Sequence, residues 1–125
     1  MYENPSHFVS RHPTTHKMNL HDAPFRAIKS ERKTVEMRLF DEKRKLLKTN
    51  DLILFTNIVT NECLSAKIKE ISVFESFEEL YKHYNKISIG YEEDEEAQPD
   101  DMLLYYTKEQ IKAHGVVAIT IELCK

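Results

Sequence analysis

Thr34-Val35-Glu36-Met37-Arg38-Leu39-Phe40, within the longer run from Lys29 to Leu47, alternates polar and apolar side chains. A strand turns successive side chains to opposite faces. Val35, Met37 and Leu39 therefore share a buried face, while Thr34, Glu36 and Arg38 stand together on the other. A hydroxyl, a carboxylate and a guanidinium side by side form a plausible ligand-facing edge. They are equally the makings of an ordinary solvated strand face with a Glu36–Arg38 pair.

The flanking sequence supplies the rest of a mixed fold. Upstream, Lys17 to Leu20 has the pattern of a short first strand. Asp22 is placed to N-cap a helix from Ala23 to about Ser30, with Pro24 in its first turn and Phe25 and Ile28 on its buried side. Downstream, Asp41 is placed to cap a short basic turn through Leu47, and Asn50-Asp51 marks a turn. Leu52-Ile53-Leu54-Phe55 is apolar on both parities, as expected of a central strand covered on both faces. After a turn at Thr60-Asn61-Glu62, the inward set Leu64, Ala66, Ile68 breaks step to Ile71 and Val73. That break predicts a bulge at Lys69 or Glu70 in a long bent strand, and bent strands close small barrels.

Ser76 and Glu79 have capping-box spacing before a helix from Phe77 to about Tyr84, whose Phe77, Leu80, Tyr81 and Tyr84 form an apolar stripe. Residues 92–101 form an acidic, Pro-containing loop of lid-like character. Thr107 and Gln110 repeat the capping-box spacing before a short helix ending at His114 and Gly115. Val117, Ile119, Ile121 and Leu123 alternate in a last strand. The order β-α-β-β-β-α-α-β is that of an α+β chain.

At 125 residues the chain has the length of one domain, divided here into a flexible N-terminal extension over 1–16 and a folded domain over 17–125. Cys63 and Cys124 make neither a disulfide framework nor a metal set and suggest a reducing compartment. No apolar leader or bilayer-length run is visible, so a cytoplasmic protein with no membrane partner is expected. His7, His12 and His16 lack a carboxylate or thiol at ligand spacing, so neither metal nor another cofactor is expected.

The net charge of −3 argues against a protein that coats long double-stranded nucleic acid. Basic residues from Arg26 to Lys48 crowd the first half and acidic ones from Glu75 to Asp101 the second. This segregation favours an anionic or polar ligand held at one place, or else solubilises two surfaces.

Six blocks in order carry a resemblance: Lys33 to Leu39, Asp41 to Arg44, Asn50 to Phe55, Ser76 to Leu80, Tyr105 to Glu109 and Gly115 to Ile119. Together they resemble the ASCH domains of the PUA-like superfamily over about Met18 to Leu123. The resemblance implies a small curved β-barrel of mixed sheet with helices packed at its side, and a cleft that receives RNA or a nucleotide-sized ligand. It places Lys33, Thr34, Glu36 and Arg38 in that cleft. One branch of the group deacetylates N4-acetylcytidine. It resembles this chain at Lys33 but has a threonine nucleophile where Glu36 stands. Its further catalytic glutamate has Glu75, Glu78 and Glu79 as candidates here.

Two functions follow. In a binding module for RNA or a nucleoside or nucleotide, Lys33, Arg38, Lys43 and Arg44 would contact phosphate. Glu36 would accept from an exocyclic amine, and Tyr105 or Tyr106 would stack on a base. In an amidohydrolase, Lys33 would be the general base, with burial and Arg38 disfavouring its charged form. Water or Thr34 would be the nucleophile, and Glu36 would pass the proton to the leaving amine. Lys33 paired to Glu36 or Glu31 as a plain ion pair is the structural counterpart of both.

Overall fold

The computed structural model describes residues 12–125. His7 and most of the expected N-terminal extension lie outside the described residues. Five strands, β1 (Thr15–Leu20), β2 (Val35–Leu39), β3 (Leu52–Asn57), β4 (Cys63–Phe74) and β5 (Val116–Leu123), form one sheet in the order β1-β3-β4-β5-β2. Three α-helices lie in the connections: α1 (Asp22–Lys29), α2 (Phe77–His83) and α3 (Lys108–His114). Short 3-10 helices cover Arg44–Leu46 and Pro99–Leu104. β1 runs parallel to β3 and every other pairing is antiparallel, giving a mixed sheet curled into a half-barrel.

The curl has the predicted cause. The β4–β5 register slips between Ile68 and Glu70, so Lys69 is the extra residue of a bulge, which bends the strand and tightens its twist. Ala66 and Ile68 are fully buried ahead of it, and Ile71 packs on the same core behind it. Val73, expected inward, is 51% exposed. The β3 pairing reaches only Lys67, so beyond the bulge β4 has a strand on one side alone.

Two cores flank the sheet. One lies inside the curl, where Phe25 and Ile28 of α1 meet Ile53, Phe55, Ile68 and Ile119. The other lies outside it, where Val35, Met37 and Leu39 meet Phe77 and Leu80 of α2 and Met102. β5 serves both, with Val117 and Ile119 facing in and Val116 and Ala118 facing out. β3 is an interior strand between β1 and β4, but it is not covered on both faces as expected: only Ile53, Phe55 and Asn57 are fully buried and the opposite parity is half-covered.

The ends of the elements also differ in detail from expectation. β1 begins at Thr15, two residues early. His16 bonds Asp51 at 2.8 Å, and Asp51 also accepts from the Thr14 and Lys48 amides, which ties the strand's start to the turn before β3. Asp22 opens α1 from inside rather than capping it. Its carboxylate accepts from the buried Asn57 side chain at 2.9 Å and from Arg26, leaving His21 at the N-cap. Ser76 caps α2 through the Glu79 amide alone, whereas Thr107 and Gln110 close a complete capping box on α3. Among the described residues no helix is long and apolar enough to cross a membrane.

Candidate functional site

The two edges of the sheet, β1 and β2, face one another across the open side of the half-barrel without forming a ladder. Arg38 spans the gap, with its Nη2 donating to the Asn19 carbonyl of β1 at 2.9 Å. Glu36 pairs with Ile119 and Arg38 with Val117, so both point to the concave side, away from the outer core that holds Val35, Met37 and Leu39. The seam is where the concave face opens to solvent. A cavity of about 220 Å³ lies there, between Asn19 and His21 on one bank and Glu36 and Arg38 on the other.

Lys33 enters from the loop after α1. The helix ends with Glu31 in the left-handed region at φ 63°, and the Ala27 carbonyl accepts from both the Arg32 and Lys33 amides, folding the chain back toward β2. The Lys33 side chain then passes Gly90. A Cβ there would stand 3.2 Å from Lys33 Cδ, and the φ of +115° suits glycine alone.

Lys33 Nζ arrives 2.7 Å from Glu36 Oε1, while Arg38 Nε donates to Glu36 Oε2 at 2.6 Å. Glu36 is 3% exposed and Lys33 8%. Burial alone would raise the Glu36 carboxyl, but the Lys33 and Arg38 charges outweigh it and hold it below the usual glutamate range. Each carboxylate oxygen thus has a cation against it, and a carboxylate oxygen so paired keeps a second lone pair with which to accept from a ligand.

The far wall is made by the 3-10 helix Pro99–Leu104 and the two residues after it. Met102, Tyr105 and Tyr106 line the cavity. Asp101 accepts from the Tyr91 hydroxyl at 2.7 Å, and Tyr91 bonds Tyr81 of α2 in turn, which anchors the segment. The acidic loop expected to be lid-like therefore ends in a pinned helix. Burial pushes the Tyr106 phenol up. Its ring lies nearly parallel to Phe77, at 11° with centroids 6.1 Å apart.

Of the residues singled out in the sequence, Lys33, Glu36, Arg38, Tyr105 and Tyr106 line this one cavity. Other candidates do not. Thr34 is exposed and, one position ahead of β2, lines another groove with Lys33, Lys69 and Ile121. Lys43 and Arg44 lie beyond β2, outside the cavity lining; Arg44 pairs with Asp41, and its charge acts on Tyr106. Glu75, Glu78 and Glu79 line a different groove beside α3. Glu31 pairs with Lys125, not Lys33.

The basic first half is largely neutralised from within, by Lys29–Glu62, Arg32–Glu92 and Lys45–Glu42 among others. Asn19, His21, Pro24, Met37 and Met102 complete the lining and carry no signal in the sequence beyond their elements. Their convergence is a matter of sheet curvature.

Residues 18–125 match the sequence model of the ASCH domain. The chain belongs to the ASCH domain family. This family is PUA-like and associated with RNA binding. The crystal structure of the hypothetical protein PH0355 is 30% identical to this ASCH domain, with a TM-score of 0.76, over 89% of this chain and all of that one. The solution structure of PF0455 from Pyrococcus furiosus is 29% identical, with a TM-score of 0.71, over 90% and 99% of the two chains. The ZmASCH protein of Zymomonas mobilis, in a serine-to-alanine variant, shares the fold at 18% identity and a TM-score of 0.63, over 87% of this chain and 68% of that one. No curated protein matches this ASCH domain.

Proposed function

We propose that the ASCH domain binds one nucleobase-sized ligand, a nucleoside or a single unpaired base of a short RNA, in the cleft between β1 and β2. The observation that carries this is the buried Glu36 carboxylate, kept ionised by Lys33 and Arg38 on the wall of a one-base cavity that Tyr105 and Tyr106 line opposite it. An exocyclic amine of a base is a donor of the right kind.

Arg38 and Lys33 hold the carboxylate, and Tyr105 and Tyr106 offer aromatic faces. The volume of about 220 Å³ falls below the roughly 300–1,000 Å³ of drug-sized pockets, which suits one base better than a length of strand. Lys43 and Arg44 lie beyond the cleft, where only a ligand longer than one nucleotide would bring phosphate to them.

Titration of 15N-labelled protein with cytidine, N4-acetylcytidine and a short single-stranded RNA tests the proposal. Shifts at Glu36, Arg38 and Tyr105, abolished in Glu36→Gln, are expected. Their absence with every ligand sinks it.

Lys33 and Glu36 side by side in the cleft also allow a second reading, hydrolysis of an N4-acetylcytidine-like amide. Water would be the nucleophile, since Thr34 stands outside the cleft. Lys33 would have to accept a proton while touching a carboxylate at 2.7 Å, which works against a base role and ranks binding first. Turnover of N4-acetylcytidine by the wild type and its loss in Lys33→Ala would make the domain an enzyme. No turnover by either protein removes that reading and leaves the binding module.

A further inference from the structure

His21 occupies the N-cap of α1 without making a side-chain capping bond, and its backbone is held by the Phe25 amide on its carbonyl. Among the described residues its ring makes no hydrogen bond, while its backbone position is fixed. Across the mouth of the same cavity stands Tyr105, 56% exposed, with its backbone amide tied to Met102. The two ring centroids are 6.2 Å apart and the planes are tilted by 41°.

A planar ring between two others needs about 3.5 Å on each side, or about 7 Å in all. At 6.2 Å between centroids and 41° between planes, His21 and Tyr105 rest in tilted contact, so a base enters only once the rings part and turn parallel. Because both rings are exposed, rotation about their side-chain torsions can part them without moving the backbone. Tyr106 is differently placed, half-buried with its ring against Phe77.

Building on the binding reading, we infer that His21 and Tyr105 form a pincer that takes a heteroaromatic base between their rings while Glu36 receives its amine edge. His21 is then a binding residue of the cleft, and Tyr105, not Tyr106, is the stacking tyrosine. A base gripped on both faces must be free of its own stack, so the pincer selects free nucleosides and unpaired bases over duplexes.

The test measures cytidine binding by NMR for wild type, His21→Ala, His21→Phe, Tyr105→Ala and the double alanine variant, with Glu36→Gln alongside. Both side chains are exposed, so the variants keep the fold, which their backbone spectra verify. Each alanine variant should weaken binding roughly tenfold, the scale of a base–aromatic stack. His21→Phe should retain it, and the double variant should lose less than the product of the singles, since either ring alone leaves the base free to tilt.

The His21 imidazole protons and the cytidine ring protons should both move upfield in the wild-type complex. Wild-type affinity in His21→Ala, or unmoved imidazole protons on saturation, overturns the pincer. If Glu36→Gln alone abolishes binding, the cleft proposal stands and the pincer falls. If the wild type binds neither cytidine nor N4-acetylcytidine, both fall together.

Discussion

At the scale of residues, Glu36 lies between Lys33 and Arg38 with 3% of its surface exposed, and a charge so placed depends on its partners. Removing one member of a buried ion pair strands the rest, at a cost of roughly 3–5 kcal/mol. Glu36→Ala should lose stability on that scale in urea unfolding, while alanine at the exposed Lys43 should change little. The pH dependence has a definite sign. The folded carboxyl titrates below its ordinary value of 4.5, so the stability it contributes is complete above that value and is lost as pH falls through the lower folded one. Glu36→Gln should flatten this part of the acid limb, and an unchanged limb would show that other carboxylates carry it. Alternation alone put Glu36 and Arg38 on one face. Thr34 keeps that face, with Ile28 and Ile121 beside it and its carbonyl accepting from the Ile121 amide, but one pair further along it borders another groove.

At the scale of elements, local chemistry set several ends of helices and turns. Thr107 and Gln110 close their box, Gly115 adopts φ 72° after α3, and Asn50 and Asn61 take the left-handed region in their turns. Thr107→Ala should cost about 1 kcal/mol. Gly115→Ala should cost more, since its Cβ would stand 3.0 Å from the Phe74 carbonyl in a backbone region that favours glycine. Thermal unfolding of the two variants checks the order, and equal midpoints would refute it. Asp22 shows where local logic stops. Its side chain suits an N-cap, but the buried Asn57 amide reaches it from β3 and shifts the start of the helix by one residue. The bulge at Lys69 was legible because a parity break in an apolar strand has few other remedies; the exposure of Val73 was not, because it depends on where β3 ends.

At the scale of the whole molecule, the half-barrel is joined across its seam by Arg38 on the Asn19 carbonyl. Arg38→Met should destabilise the fold by stranding Glu36 and, beyond that, loosen β1, which pairs with β3 alone. Amide exchange should quicken more in β1 than in β4 and β5, and uniform acceleration would show that the seam contact does nothing local. The sequence alone carried the element order, the bulge that curls the sheet and the face on which Glu36 and Arg38 stand, but not the burial of β5 on both faces. The first three follow from periodicity, turn chemistry and capping over a few residues. Only the tertiary structure decided that β1 and β2 would border one cavity, that His21 and Met102 would line it, that Lys33 would reach Glu36 past Gly90, and that the first-half cations would be neutralised at home. Those outcomes depend on how far the sheet bends and which loops it brings together, and neither is encoded in any local window of the chain.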